Sequence, residues 1–94
     1  MELTIGSKVI LKRAIMNEQV GSVGFAVNEY NDFDGLGTGV QIIFQNGSFD
    51  GFSVTEQNLY LEDLGVDSRY AMYDFKNVGQ VDRDFRNRYW RFDE

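Results

Sequence analysis

The dipeptide Asn46-Gly47 is the feature that most restricts how this chain can fold. Asn-Gly between two β-rich segments is the strongest short-range signal for a β-hairpin, because both residues tolerate the backbone angles of a tight turn. The flanking segments, residues 40–45 and 48–54, are rich in β-branched and aromatic side chains. The sequence therefore predicts two antiparallel strands joined at Asn46-Gly47.

Three further short strands are predicted around this hairpin. Residues 8–13 are β-branched and apolar between charged ends, and residues 20–30 alternate between apolar and small or polar side chains. Residues 55–58 are polar and predict a single 3₁₀ turn before a brief strand at residues 59–62. Five short strands with no long helix between them are typical of a small β-barrel or sandwich.

Glycine-rich positions divide these strands. Gly21 and Gly24 weaken the second strand and predict a bend or bulge there. Residues 31–39 contain three glycines and two aspartates, so we expect an exposed, mobile hairpin loop that does not continue a strand. Asp32 and Asp34 carry the carboxylates that Ca²⁺ prefers, but their spacing fails the EF-hand pattern, and turn-forming residues in a solvated loop explain them equally. Gly35, Gly37 and Gly39 precede a strand, whereas a phosphate-binding loop precedes a helix.

The segment of residues 5–62 resembles the SH3-like small β-barrels of the KOW type. The resemblance rests on four stretches: Ile5-Gly6-Ser7-Lys8-Val9-Ile10-Leu11, the G-x-V pattern of Gly21 to Val27, Ile42-Ile43-Phe44-Gln45-Asn46-Gly47, and Asn58-Leu59-Tyr60-Leu61-Glu62. It implies a five-stranded barrel that serves as an accessory module and binds RNA, a protein partner or a larger enzyme. Nucleic-acid-binding members generally display basic residues, and this barrel segment is acidic.

A C-terminal extension of about residues 66–94 follows, so we expect one domain over residues 1–94, with residues 63–68 as the joint between barrel and extension. Alternating side chains at residues 69–75 predict an additional edge strand. From Asn77 onward, apolar residues at helical spacing predict a short helix, and Gln80 fits the third position of a capping box begun by Asn77. The helix prediction includes an apolar stripe and two i,i+4 ion pairs: Val78, Val81, Phe85, Tyr89, Phe92, Asp82 with Arg86, and Asp84 with Arg88. The alternation of Arg88, Trp90 and Phe92 is also compatible with a strand, which is the alternative to the helix there.

The composition argues against an enzyme. The chain has no cysteine and no histidine, which removes thiolate ligands, the commonest general base and the usual nucleophile pairings. Four carboxylates remain as candidates for paired-acid chemistry, and each fits ordinary surface charge: Asp50, Glu56, Glu62 and Asp63. We therefore predict no catalytic residue, no metal and no cofactor.

Charge and hydropathy indicate the cellular location of the chain and the kind of partner it can bind. Residues 1–65 hold three basic and nine acidic side chains, which accounts for the whole net charge of −6, whereas residues 66–94 are balanced. The N-terminal residues lack a signal-peptide pattern, and no apolar run approaches a membrane span. A cytoplasmic location away from membranes is the expectation. The net charge disfavours nucleic acid as a partner.

One constellation has binding character, because arginine and aromatic side chains are enriched at interface hot spots and stacking platforms. It consists of Arg83, Arg86, Arg88, Tyr89, Trp90 and Arg91. Three interpretations compete: a protein interface, a nucleic-acid site weakened by interleaved acids, and an amphipathic element that packs on its own barrel.

Three functional hypotheses follow. The leading one is a non-catalytic protein-interaction module that binds a protein partner or a second copy of itself, with a phage or mobile element as a candidate source. The second is an acidic inhibitor that mimics nucleic acid in the basic groove of a host nuclease or nucleic-acid-binding protein. The third is an RNA- or DNA-binding accessory domain that acts through the C-terminal arginines and aromatics.

Overall fold

The computed structural model describes residues 2–32 and 37–93 and shows a mainly β fold. The elements are β1 (Ser7–Leu11), β2 (Val23–Asp32), β3 (Gly37–Phe44), β4 (Phe49–Ser53), α1 (Val54–Tyr60), β5 (Leu61–Val66) and α2 (Val78–Arg86). The five strands form one antiparallel sheet in the order β4-β3-β2-β1-β5. The expected five-stranded, mainly β architecture is confirmed; β4 and β5 are the edges of a sheet that is not closed.

The predicted hairpin at Asn46-Gly47 is confirmed. The Phe44 N–H donates to the Ser48 carbonyl at 2.9 Å, and the Gly47 N–H donates to the Phe44 carbonyl at 2.8 Å. Gly47 has a φ of 91°, whereas Asn46 keeps a negative φ. The connection is therefore a three-residue loop whose last residue is a left-handed glycine, a common alternative to the two-residue turn.

The strands extend further into the glycine-rich segment than the sequence predicts. Asn31 pairs with Thr38 and Asp32 pairs with Gly37, so the prediction that residues 31–39 do not continue a strand is wrong at both ends. Ladder hydrogen bonds come from the backbone and so tolerate turn-forming side chains. Residues 33–36, on which the calcium and phosphate hypotheses partly depend, lie outside the described residues.

The two early glycines have different roles. Gly21 has a φ of 93° in the turn before β2, which agrees with the predicted bend. Gly24 lies in the regular ladder, where a Cβ atom would lie 2.6 Å from the Ile42 Cγ2 atom. The bulge in β2 falls instead between Ala26 and Asn28. Gly24 is thus required by close packing and does not mark a bulge.

The turn predicted at residues 55–58 is a two-turn α-helix, α1. The Ser53 hydroxyl accepts from the Glu56 N–H at 3.2 Å, and the Glu56 carboxylate accepts from the Ser53 N–H at 3.0 Å. This reciprocal capping box satisfies two backbone donors at the helix start. β5 begins directly after α1 and pairs with β1, so residues 63–66 belong to a strand and the predicted joint is wrong there.

A buried hydrophobic cluster covers part of each face of the sheet. We call the cluster on one face the first core: Leu3, Val9, Leu11, Ala26, Val40, Ile42, Phe44, Phe52 and Leu61. The cluster on the other face is the second core: Phe25, Val27, Ile43, Tyr70, Tyr73, Val81 and Trp90. Consecutive strand residues point to opposite faces, as Ala26 and Phe25 do. β2, predicted to be half-buried, is buried on both sides at residues 24–27, where the extension covers its second face, whereas Glu29 and Asn31 are exposed.

The C-terminal extension folds over the sheet without adding a strand. The Tyr70 N–H donates to the Asp67 carbonyl and the Tyr73 N–H donates to the Tyr70 carbonyl, each at 3.0 Å. These successive turns bring Tyr70 and Tyr73 to the same side, so the edge strand predicted at residues 69–75 is wrong. The helix predicted from Asn77 is confirmed as α2, and the Asn77 side chain accepts from the Gln80 N–H at 2.8 Å. It ends at Arg86, before the last two residues of the predicted apolar stripe.

Candidate functional site

The structure separates the six residues of the predicted site into two environments. Trp90 is 4% exposed in the second core, whereas Tyr89 is 43% exposed. The arginines lie on the surface of the extension: Arg83, Arg86, Arg88 and Arg91. Trp90 therefore anchors residues 83–91 to the second core, and the arginines of this segment face the solvent.

Trp90 is enclosed by aromatic rings of the same chain. Its ring centroid lies 4.8 Å from those of Tyr70 and Tyr73, 4.9 Å from that of Tyr89, and 6.0 Å from that of Phe25 on β2. Such offset and edge-on arrangements add to the stabilisation from apolar burial. The indole Nε1 is buried and has no hydrogen-bond partner among the described residues. The free energy from packing these rings must exceed the cost of burying that donor.

The Tyr70 hydroxyl fixes the backbone on both sides of Trp90. It donates to the Tyr89 carbonyl at 3.0 Å and accepts from the Arg91 N–H at 2.8 Å. Burial raises the pKa of Tyr70, so the hydroxyl keeps its proton, and its ability to donate, to a higher pH than a free phenol does. One phenol thus holds the two peptide groups that set the direction of the flanking side chains.

We expect Tyr70→Phe to lower the free energy of unfolding by about 1–3 kcal/mol, because the substitution leaves the Arg91 N–H and the Tyr89 carbonyl without their partner. Urea unfolding followed by circular dichroism measures this change. Tyr60→Phe, which removes a hydroxyl at the margin of the first core, is the matched control. Equal effects of the two substitutions would show that the Tyr70 hydrogen bonds contribute nothing specific.

A second tyrosine ties α2 to the preceding turns. The Tyr73 hydroxyl donates to the Asp84 carboxylate at 2.7 Å. Burial and this carboxylate raise the pKa of Tyr73 well above its usual range. The predicted Asp84–Arg88 ion pair is wrong, since Arg88 lies beyond the end of the helix. The predicted Asp82–Arg86 pair is confirmed at 2.8 Å.

The raised pKa of Tyr73 makes stability depend on alkaline pH. Below a pH of about 10 the phenol is protonated in both the folded and the unfolded chain, so it contributes no pH dependence. Above that pH the unfolded chain loses the proton first, and the free energy of unfolding falls by about 1.4 kcal/mol per pH unit through this group. Tyr73→Phe is expected to remove this contribution in urea titrations between pH 9 and 11. If the free energy of unfolding of the variant fell with pH as steeply as that of the native chain, the raised pKa of Tyr73 would be contradicted.

The end of α2 has an arginine where glycine is usual. The Tyr89 N–H donates to the Asp84 carbonyl at 2.9 Å, and the Arg88 N–H donates to the Phe85 carbonyl at 3.0 Å. This pair of bonds is the Schellman motif, whose left-handed position is most often glycine. Here that position is Arg88, with a φ of 59°, the one non-glycine residue with positive φ among residues 2–32 and 37–93. Such local strain concentrates at functional positions.

Arg88→Gly is expected to raise the free energy of unfolding by about 1 kcal/mol, because glycine adopts the left-handed conformation without steric cost. For a domain of this size that corresponds to roughly 4–8 °C in Tm. Differential scanning calorimetry measures the shift. A lower Tm would mean that the Arg88 side chain holds the fold together, and the strain would then have a structural explanation.

Three of these arginines line a common cleft of about 610 Å³. We call it the arginine cleft. Its lining residues are Gln45, Phe85, Arg86, Arg88, Trp90, Arg91, Phe92 and Asp93. Arg83 lies outside it, although the sequence grouped all four arginines. The cleft therefore combines a cationic rim with an aromatic floor, and its volume is in the range of ligand sites in proteins.

The β3–β4 hairpin supports the floor of the arginine cleft. A Cβ atom on Gly47 would lie 2.9 Å from the Phe85 ring, so this ring rests where the glycine has no side chain. The Phe85 and Phe92 rings lie 6.4 Å apart between their centroids. Sequence reasoning missed four lining residues as site residues: Gln45, Phe85, Phe92 and Asp93. The helical spacing of Phe85 was a visible signal, but the approach of the hairpin was not.

A shallower cavity of about 350 Å³ lies beside the arginine cleft, between Arg69, Tyr70, Tyr89 and Arg91. Arg69 pairs with Asp67 at 2.6 Å, and its guanidinium lies 5.2 Å from the Tyr70 ring centroid. Hydrogen bonding from Arg69 lowers the pKa of Asp67. Arg69 therefore adds a partly neutralised cation to the surface around Arg91, and the sequence analysis did not include it.

A cavity of about 410 Å³ at the far end of β2 and β3 is lined in part by Glu2, Glu29, Tyr30 and Gln57. Within residues 2–32 and 37–93, no three potential metal ligands of the His, Cys, Asp or Glu type come together. In the same part of the chain, no helix has the length and apolar character needed to cross a membrane. Comparisons with protein-family models, curated proteins and solved structures gave no match to this chain.

Proposed function

We propose that this chain is a non-catalytic protein-interaction module, built on an SH3-like barrel, that binds a partner protein through the arginine cleft. The observation that carries the proposal is the division of one segment into two sides. Trp90 is buried at 4% exposure, while Arg86, Arg88 and Arg91 surround an open cleft. A rigid anchor beneath exposed arginines matches the composition of binding hot spots.

The strand arrangement supports an SH3-like barrel. β5 returns to pair with β1, and the single helix α1 connects β4 to β5. Bulges between Ser7 and Val9 and between Ala26 and Asn28 bend the sheet, as small barrels require. The absence of cysteine and histidine from the chain favours a binding role over a catalytic one.

A different protein suits the site better than a second copy of this chain. On each edge strand, an aspartate side chain accepts a hydrogen bond from a backbone N–H. Asp63 of β5 accepts from the Gly65 N–H at 2.8 Å, and Asp50 of β4 accepts from the Gly51 N–H at 2.9 Å. Occupied donors, short strands and acidic side chains discourage edge-to-edge pairing. The net charge of −6 also makes two copies repel each other.

Affinity capture with a charge-matched control tests this proposal. The double variant Arg86→Glu/Arg88→Glu reverses two charges at the arginine cleft. Lys12→Glu/Arg13→Glu makes the same charge change at exposed residues after β1. We expect the native chain and the control to retain one stoichiometric protein partner from a lysate of the source cells, and the cleft variant to lose it.

Other outcomes of the same experiment would contradict the proposal. Equal loss of the partner with both variants would indicate that the overall charge directs binding, as for a nucleic-acid mimic. Partner capture that disappears after nuclease treatment would indicate a nucleic-acid-binding domain. Recovery of no stoichiometric partner by the native chain would remove the interaction hypothesis.

A further inference from the structure

We infer that the arginine cleft binds a short peptide segment of its partner in which carboxylate side chains flank an apolar side chain. This inference rests on the proposed function and specifies the chemistry of the partner. It follows from the charges on the rim of the cleft, the aromatic residues on its floor, and the acidic surroundings of the cleft.

The rim of the cleft offers guanidinium groups to an anion. Arg88 has no ion-pair partner among residues 2–32 and 37–93, and Arg86 shares only the solvent-exposed Asp82. A guanidinium donates two parallel hydrogen bonds to a carboxylate, which is the geometry that makes arginine selective for planar oxyanions. Arg88 has a left-handed φ of 59°, at which glycine would be more stable, so the chain has an arginine on this rim despite its conformational cost.

The floor of the cleft offers apolar surface between those charges. Phe85 and Phe92 are half-buried, and both line the cleft together with Trp90. An anion alone would leave these rings in contact with water. A peptide that places one apolar side chain on the rings and carboxylates against the rim satisfies both parts of the lining.

The surroundings favour a short acidic peptide over a nucleic acid. Asp93 lines the cleft itself, and Asp82 lies one helical turn from Arg86. A phosphate backbone needs several cations in a row, and beyond this cleft it would meet a protein with a net charge of −6. One or two carboxylates need only the local field of the cleft, which acts within a Debye length of about 8 Å at physiological salt.

Nuclear magnetic resonance titration of the full chain tests the inference. Trp90 is the only tryptophan, so its indole N–H gives one resolved signal from the floor of the cleft. The probes are the blocked peptide acetyl-EELFEE-amide, its glutamine analogue acetyl-QQLFQQ-amide, and an eight-nucleotide oligothymidylate. We expect the acidic peptide to shift the indole signal saturably with a Kd below about 1 mM, and the glutamine analogue to bind roughly 10- to 100-fold more weakly.

Arg88→Gly is the decisive variant, because it is expected to fold more stably while it removes one guanidinium from the rim. Its affinity for the acidic peptide should fall roughly 10-fold, and a loss of binding could not then be assigned to unfolding. Arg88→Asn, which also tolerates the left-handed conformation, should reproduce the loss. Lys12→Ala should leave the affinity unchanged.

The inference would be overturned if no saturable shift occurred, if the two peptides bound equally, or if the oligonucleotide bound more tightly than the acidic peptide. Failure of the inference differs from failure of the proposed function. A lysate partner that depends on Arg86 and Arg88, together with no binding of the acidic peptide, would leave the interaction module in place with another ligand chemistry.

Discussion

Trp90→Ala is expected to lower the free energy of unfolding by about 3–5 kcal/mol, a large part of the total stability of a small domain. The substitution removes a side chain that is 4% exposed and lies within 6.0 Å of four aromatic ring centroids, measured between ring centres. The rings that surround it belong to β2 and to the turns of the extension, so the cavity could not close without separating the two. Urea unfolding followed by far-ultraviolet circular dichroism measures the change.

Met72→Ala is the control for this experiment, since Met72 lies on the same extension and is 90% exposed. Its effect should stay within about 0.5 kcal/mol. If Trp90→Ala were equally mild, the extension would not be part of the cooperative fold, and its aromatic face would be available to a partner.

Gly6→Ala is expected to lower the free energy of unfolding by about 2–4 kcal/mol through two separable effects. Gly6 has a φ of 92°, and a Cβ atom there would lie 2.7 Å from the Ala71 backbone N and Cα atoms. Its N–H donates to the Ala26 carbonyl at 2.8 Å, and its carbonyl accepts from the Asp67 N–H at 2.9 Å. Gly6 is therefore a point of close backbone contact between the sheet and the extension.

Gly21→Ala separates the two effects. Gly21 has nearly the same φ, 93°, and a Cβ atom there would meet no atom within 4 Å. It should lower stability by only about 1 kcal/mol, the cost of the left-handed conformation. The difference between the two variants measures the contact with Ala71 alone. Equal losses would mean that the extension shifts freely away from residue 6.

The sheet was largely predictable because its signals are local. Asn46-Gly47 identifies a turn by the φ angles it tolerates, and the β-branched segments on either side identify strands. The prediction was less accurate where backbone pairing continues through turn-forming residues, as between Asp32 and Gly37. The α1 helix was missed although Ser53 and Glu56 have the spacing of a capping box. That signal was in the sequence.

The extension was less predictable because its side chains are arranged by tertiary contacts. Alternation at residues 69–75 suggested a strand, but turns bring Tyr70 and Tyr73 to the same side, against Trp90. Sequence alone groups Trp90 with the arginines as a single binding surface. The burial of Trp90 and the contact of its ring with Phe25 on β2 show that this aromatic belongs to the core, whereas the arginines are exposed.

Hydrogen exchange of the Trp90 indole N–H tests most directly whether one side of the extension belongs to the core while the other presents the arginine cleft. In the free protein this proton should exchange as slowly as the backbone amides of Phe25 and Ile43 in the central strands, because only global unfolding exposes it. Exchange at the rate of a solvent-exposed indole, with the strand amides still protected, would show that the extension opens independently and would contradict the arrangement on which the cleft depends.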